Sequence, residues 1–388
     1  MVSMTSTAQY FLLTLIALVC VSESTHGPVK NVTYAAPHTN ITVVAPIKLP
    51  PIISSRVRPV SVPGFKVDLS AETQSISANK QWFEEHGGNY KNLTKRGVET
   101  VGGLTMELPE NVPPTPQSTK SKSSSVYIAG ADYQNDLKFH AAISATAYCR
   151  GVVPLGIWNC KNCRKYVPDG KLLVTFSSLI SDSNGYVLRS DAKKTIYLVF
   201  RGTNSIRNAI TDLTFVLTNY PPVKGAKVSL GFFASYNEIV RLFFPRIQKE
   251  LTAYPNYKLV ITGHSLGGAQ AVLAGLDFYQ RDKRFTPKNL SIYTVGCPRI
   301  GNPDFAYYVD STGIAVHRSV NDRDIVPHLP PQAVGFLHPG VESWSLSKKV
   351  TQICASNIET KECSNSIVPF TSILDHLSIY GLNEGLCL

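Results

Sequence analysis

The 388-residue sequence predicts an α/β fold, a central mostly parallel sheet flanked by helices. Two observations predict it. Short apolar runs recur along the second half of the chain: Thr195 to Phe200 (TIYLVF), Lys258 to Thr262 (KLVIT), Leu290 to Val295 and Ala315 to Val320. Helical spacing lies between them, most clearly over Leu266 to Arg281, and strands alternating with helices pair in parallel. No internal repeat is apparent. A hydrophobic content of 43% supplies ample core.

The elements follow in order. Phe11 to Val21 is an apolar run interrupted only by Thr14, too short to span a bilayer, with small residues at Ser22 and Ser24. Residues 1–24 therefore read as a secretory signal peptide, although no Lys or Arg precedes the run. Residues 25–120 read as a prosegment and linker. They are rich in Pro, Ser, Thr and Lys, with few sustained periodic apolar stretches. Lys95-Arg96 is a dibasic processing site on this reading, and Pro113, Pro114 and Pro116 followed by Ser118 to Ser125 form the linker. Residues 121–388 read as the folded domain, where strand and helix patterns alternate. No later segment is long and apolar enough to be a membrane span. Asn31, Asn40, Asn92 and Asn289 open N-x-[ST] sequons, candidate glycosylation sites in an exported chain.

Cys20 lies in the signal, leaving Cys149, Cys160, Cys163, Cys297, Cys354, Cys363 and Cys387. Export favours disulfides. The short separations Cys160/Cys163 and Cys354/Cys363 suggest local bridges, and Cys149 with Cys387 would then tie the domain's start to its end. Six cysteines allow fifteen pairings, so spacing does not decide among them. A zinc site at Cys160-Lys-Asn-Cys163 is the rival, but no second Cys or His pair lies at finger spacing, and no metal is expected. Cys297 reads as a buried free thiol. The formal net charge of +11 suits an anionic interface or simple solubility. Without basic runs interleaved with aromatics, nucleic acid is not an expected partner.

Chemistry concentrates at Gly263-His264-Ser265-Leu266-Gly267. A nucleophilic serine on a sharp strand-to-helix turn projects its hydroxyl, and glycines two before and two after relieve the crowding there. The strand KLVIT precedes this segment. Ala269, Ala271, Ala274 and Gly275 let the following helix pack closely, and its N-terminus offers free N–H groups to an oxyanion. An alkyl hydroxyl needs a general base, and the base an orienting carboxylate. In the order Ser, Asp, His, Asp324 is the favoured acid, following the strand Ala315 to Val320; Asp322 and Asp310 are rivals. Among the later histidines, His376 near the chain end is favoured over His328 and His338 in a Pro-rich loop. Asp375 adjoins His376, but adjacent side chains diverge.

With KLVIT-GHSLGGAQA, the upstream RGTNS, NDRDIVPHLPP and the tail SIVPFTSILDHLSIYG, the chain closely resembles the Rhizopus/Rhizomucor-type filamentous-fungal lipases of the class 3 group. The resemblance covers residues 121 to 388 nearly continuously, and HGGN, Lys-Arg and VGGLTMELP in the pre-region resemble the Rhizopus propeptide. It implies an α/β-hydrolase fold with a short helical lid and a catalytic triad of Ser265, Asp324 and His376. It also implies an oxyanion hole from Thr203 and Leu266, with Asp212 supporting Thr203. The disulfides it implies are Cys149–Cys387, Cys160–Cys163 and Cys354–Cys363. It places the lid at Ser205, Ile206, Arg207, Asn208, Ala209, Ile210 and Thr211. There Ile206, Ala209 and Ile210 fall at i, i+3 and i+4 and make one helical face apolar. Three positions depart from the family. Cys297 replaces a usual glycine, Ile206 stands where an aromatic lid residue is common, and Ser229 where a histidine is frequent.

The expectation is a secreted, extracellular triacylglycerol lipase acting at a lipid–water interface on triglyceride, activated by movement of the lid. It needs no cofactor and is expected as a monomer. A phospholipase or feruloyl esterase on the same scaffold is the alternative within enzymes, and a non-catalytic lipid-binding protein the alternative outside them.

Overall fold

The computed structural model describes residues 48–62, 71–95, 99–109, 112–114, 125–211 and 215–387. The expected signal segment, the sequons at Asn31 and Asn40, Arg96, most of the linker and Asp212 lie outside the described residues.

Among the described residues nine strands form the main sheet: β1 (Val126–Ile128), β2 (Lys171–Ser177), β3 (Asn184–Ser190), β4 (Thr195–Arg201), β5 (Lys258–His264), β6 (Leu290–Val295), β7 (Ala315–Asn321), β8 (Val341–Ser347) and β9 (Val350–Cys354). Their spatial order is β1-β9-β8-β7-β6-β5-β4-β3-β2. The central run β4 to β8 is parallel, as the alternation of strand and helix patterns predicts. Both flanks are antiparallel, which the sequence pattern does not reveal.

Both faces of the sheet are covered, so its strands read as continuous apolar runs rather than alternating ones. On one face Tyr186, Leu188, Tyr197, Val199 and Val260 pack with Ile143, from the helix Ala131–Ala145. On the other, Ile196, Leu198, Phe200, Leu259, Ile261 and Ile292 pack with Ile239 and Phe243 of the helix Leu230–Ala253 and with Leu273 and Phe278 of the helix Leu266–Arg281. The disulfides are Cys149–Cys387, Cys160–Cys163 and Cys354–Cys363, and Cys297 is free and buried. Cys149–Cys387 closes a sequence separation of 238 residues. Among the sequons, Asn92 is exposed on the short helix Tyr90–Lys95, while Asn289 is half-buried and donates through Nδ2 to the Arg284 carbonyl, 3.0 Å away.

The described residues upstream of the linker carry regular structure that their composition does not suggest. Ala71–Glu85 is a helix whose buried positions are Glu72, Ser75, Asn79 and Phe83. Three of the four are polar, so hydrophobic periodicity misses the element. Hydrogen bonds replace apolar burial here: Asn79 Nδ2 donates to the carbonyls of Ser366 (3.1 Å) and Val368 (2.6 Å). Glu72 enters a buried ion cluster around Arg299, which is fully enclosed. The guanidinium lies 3.2 Å from Glu72 and 2.7 Å from Glu359, and Nη1 donates to the carbonyls of His328 and Pro330. Stripped of partners, such a charge would carry a desolvation cost of several kcal/mol; here the two carboxylates and the carbonyls compensate it.

His328 and His338 are buried beside this cluster. His328 Nδ1 bonds Asn365 Oδ1 at 2.9 Å, and His338 Nε2 donates to the Pro327 carbonyl at 2.9 Å. Burial, then the charge of Arg299, pushes His328 down to about 4; burial, then Arg318, pushes His338 well below the usual imidazole range. Both are neutral when folded, whereas in the unfolded chain they take up protons near the ordinary imidazole value of 6.5. The contribution of His328 is therefore complete above pH 6.5 and is lost as pH falls toward about 4, at up to about 1.4 kcal/mol per pH unit, and His338 acts in the same direction. The urea midpoint should fall steadily between those limits, and a midpoint flat across them would refute the buried neutral state.

Candidate active site

Strand β5 ends at His264, and the next residue, Ser265, has φ 58° and ψ −130° before the helix Leu266–Arg281 begins. A positive φ on a non-glycine residue costs of order 1–3 kcal/mol and persists only where the surroundings enforce it. The enforcement is visible in two glycines. A Cβ on Gly263 would lie 2.2 Å from the Gly267 carbonyl oxygen, and one on Gly267 would lie 2.5 Å from that of Phe200. The turn is therefore wedged against the end of β4, and Ser265 is held at the sheet's C-terminal edge, 7% exposed.

Asp324 and His376 come from loops beyond β7 and near the chain end, and the structure brings them together. His376 Nδ1 lies 3.0 and 2.9 Å from the two Asp324 oxygens, with both residues buried. Asp324 Oδ1 also accepts from the Val326 N–H at 2.9 Å. His376 Nε2 is buried and has no hydrogen-bond partner among the described residues. Gly296 makes the approach possible: a Cβ there would lie 2.7 Å from the His376 ring and 2.8 Å from Asp324 Oδ2. The rivals are placed elsewhere. Asp310 lies on the helix Pro303–Ser311, and His328 and His338 are engaged beside Arg299. Asp322 bonds no histidine among the described residues, and burial raises its carboxyl. Asp375 is pushed up to about 6 by burial and by the charges of Asp322 and Asp324.

Two residues that sequence reasoning missed join these parts. His264 Nε2 donates to the His376 carbonyl at 2.9 Å, and its Nδ1 lies 2.6 Å from the Tyr148 hydroxyl. Because Nε2 must carry the proton, Nδ1 accepts from Tyr148. The same hydroxyl accepts from the Gly202 N–H at 3.1 Å. One chain of bonds thus runs from the residue before Thr203, through the residue before Ser265, to the backbone of His376. Burial, then the neighbouring His376, pushes His264 well below the usual imidazole range, which keeps this tautomer neutral. The signal available in the sequence was the histidine inside GHSLGG; Tyr148, 116 residues away, carried none.

Ser265 opens on a cavity of about 250 Å³ lined by Thr203, Leu266, Ile206, Ala209, Ile210, Ser229, Phe232, Pro298 and Val326, among others. Leu266 is the first residue of its helix, where a main-chain N–H has no partner within the helix. Cys297 packs behind this helix start, 2.8 Å from where a Cβ on Gly268 would sit; burial pushes its thiol up to about 12.

Residues 197–334 match the family model Lipase (class 3). A lipase of Rhizopus niveus is 59% identical over 346 residues, covering 88% of each chain. The chain belongs to the class 3 lipases. Two solved structures extend the comparison. The Rhizomucor miehei lipase propeptide complex is 44% identical, covers 88% of this chain and all of its own, and superposes with a TM-score of 0.76. A triacylglycerol lipase whose catalytic centre is formed by a serine protease triad is 51% identical, covers 68% of this chain and all of its own, with a TM-score of 0.66. The fold of this lipase is the α/β-hydrolase fold, and the parallel run β4 to β8 carries the candidate site at its C-terminal edge.

In the lipase the helix Ile206–Thr211 lies over the cavity with Ile206 and Ile210 buried, and Ser205, Arg207, Asn208 and Thr211 exposed. Its apolar side is shared with the upstream segment: Leu104 and Met106 pack in one cluster with Ile206, Ile210, Ile325, Val326 and Ile373. Thr105 N–H donates to the Pro369 carbonyl, and Ile373 N–H to the Met106 carbonyl, so this strap pairs with the stretch that leads to His376. Arg207 is held from outside by Glu99 and Glu107.

Tyr148→Phe tests the chain of bonds. It removes one hydroxyl, leaving a buried acceptor and a buried donor unsatisfied, a cost of about 1–3 kcal/mol. If the chain positions reacting groups, kcat on a soluble ester falls about tenfold with little change in KM; an unaltered kcat would make Tyr148 scaffolding alone.

Proposed function

We propose that this class 3 lipase is a secreted triacylglycerol lipase that cleaves ester bonds of water-insoluble triglyceride through a Ser265–His376–Asp324 triad. The observation that carries this reading is the Asp324–His376 pair, with a buried unpartnered Nε2, together with a strained serine that lines an apolar, helix-covered cavity. His376 Nε2 takes the Ser265 proton as Oγ attacks the ester carbonyl, and Asp324 stabilises the imidazolium that forms. Charge that develops on the carbonyl oxygen is met by Thr203, through its hydroxyl and N–H, and by the Leu266 N–H. Removing such a donor typically costs on the order of 100-fold or more in rate. His376 then protonates the leaving alcohol, and water repeats the cycle on the acyl-enzyme. Asp212 is assigned the support of Thr203 by family resemblance. The apolar lining suits an acyl chain better than a phospholipid headgroup or an aromatic acid.

Residues 25–120 act in this reading as a prosegment, after a signal peptide at 1–24. Lys95-Arg96 is the processing site, and the mature enzyme acts extracellularly as a monomer. The helix Ile206–Thr211 is the lid. Leu104 and Met106 occupy its apolar side in water, and a lipid surface would replace them when it opens, which is interfacial activation.

Ser265→Ala should lower hydrolysis of a long-chain chromogenic ester at least about 10⁴-fold. The unmodified enzyme should prefer emulsified triglyceride over phospholipid and feruloyl ester; equal rates for both proteins would leave only a lipid-binding role. Met106→Asp places a charge against the lid's apolar side. In the uncleaved chain it should raise activity on a dissolved short-chain ester about tenfold or more, since losing a buried Met contact costs about 2–5 kcal/mol. Activity no higher than that of the parent chain would remove the strap from the account of lid closure.

A further inference from the structure

The helix Leu266–Arg281 starts at the candidate nucleophile, and its opposite end is occupied by residues from far upstream in the chain. The last carbonyls of a helix have no partner within it and carry the negative end of its dipole. Here Arg56 reaches the Tyr279 carbonyl in the last turn and the carbonyls of the turn that follows it. Its Nη1 lies within hydrogen-bond distance of the carbonyls of Tyr279, Asp282 (3.1 Å) and Phe285 (2.9 Å), and its Nη2 donates to Lys283 at 3.0 Å. The guanidinium carbon lies 4.4 Å from the centre of the Tyr279 ring. Four carbonyls and an aromatic plate suit a flat, forked cation and do not suit the compact ammonium of lysine.

The backbone around Arg56 is gripped as well. Ile53 N–H donates to the Gln280 carbonyl at 2.8 Å, Arg281 Nη1 donates to Pro50 at 2.6 Å, and the Tyr308 hydroxyl donates to the Arg56 carbonyl at 2.8 Å. Tyr308 and Gln280 are fully buried; Gln280 Nε2 donates to Tyr308 at 2.8 Å and its Oε1 accepts from Tyr220 at 3.1 Å. A buried polar network of the catalytic domain therefore ends on a group that the domain does not itself provide. Leu49, Val57 and Val60 add apolar contacts against the main core.

We propose that the C-terminal end of the nucleophile helix is an arginine-peptide binding site, filled in cis by residues 48–58. The contact keeps the N-terminal segment on the catalytic domain after the chain is cut at Lys95-Arg96. The second statement rests on the prosegment reading given above, and the first does not.

The test uses the full chain, with Arg56→Ala and Arg56→Lys beside the parent. In the uncut proteins, hydrogen exchange at the Ile53 amide reports the site directly. Both variants should exchange at least about tenfold faster than the parent, since hydrogen bonds to a charged group are worth about that factor or more, while ester hydrolysis stays unchanged. Exchange at the parental rate in Arg56→Ala would overturn the site, and parental exchange in Arg56→Lys alone would overturn its preference for a guanidinium. The proteins are then cut at Lys95-Arg96 by a dibasic-specific protease, diluted, and passed over a sizing column. The parent should retain its N-terminal fragment at concentrations at least about tenfold lower than either variant. Loss of the fragment at one common concentration would overturn the retaining role. A chain that resists cutting at that position would overturn the processing reading and leave the exchange result standing.

Discussion

At Ser265 a sheet strand reverses into a helix with a positive φ, and three backbones meet there with no room for a Cβ on Gly263 or Gly267. Much else is placed by this one close approach. The helix can start only where the end of β4 admits it, so the cavity lies between its first turn and the residues that follow β4. The adjoining His264 is turned inward by the same reversal, where it holds the backbone of His376 and receives Tyr148. The turn is thus braced by a bonded frame in which Tyr148 and His264, the residue before the candidate nucleophile, join Gly202 to the backbone of the candidate base. Such a frame fits a reaction that needs its groups aligned before the substrate arrives.

Much of this was legible in the sequence. The parallel core shows because its strands are buried on both faces and read as plain apolar runs. Ser265 shows through its glycines, and Asp324 and His376 through their order in the chain. What was not legible has a common cause, burial achieved with polar groups. Strand β8 carries Glu342, Ser343 and Ser345 inward, with Glu342 paired to Arg318 at 2.9 Å, and hydropathy does not mark it. The helix Ala71–Glu85 buries Glu72, Ser75 and Asn79 in the same manner. Tyr148 and His264 meet across 116 residues, and nothing local announces the pair.

The upstream residues hold the catalytic domain by two kinds of contact. Residues 48–58 and 71–85 do so chiefly through directed bonds, Arg56 at the helix end and Glu72 and Asn79 at the Arg299 cluster. Residues 99–107 do so through Leu104 and Met106 against the helix Ile206–Thr211, with short strand pairing beside them. Directed bonds are re-formed with water when a segment leaves, and buried apolar side chains are not, so the two kinds part from the domain at different cost.

Lys95-Arg96 lies between these two groups of contacts. A single cut there separates the polar foothold from the chain and leaves Leu104 and Met106 covalently joined to the catalytic domain. A strap on a tether competes for its place at an effective concentration set by the tether, commonly in the millimolar range, whatever the dilution of the enzyme. Its return over the helix Ile206–Thr211 would then be independent of enzyme concentration, whereas rebinding of the released fragment would weaken with every dilution. Cleavage at these two basic residues would thus divide one covering into a part that dilution removes and a part that only a competing apolar surface displaces.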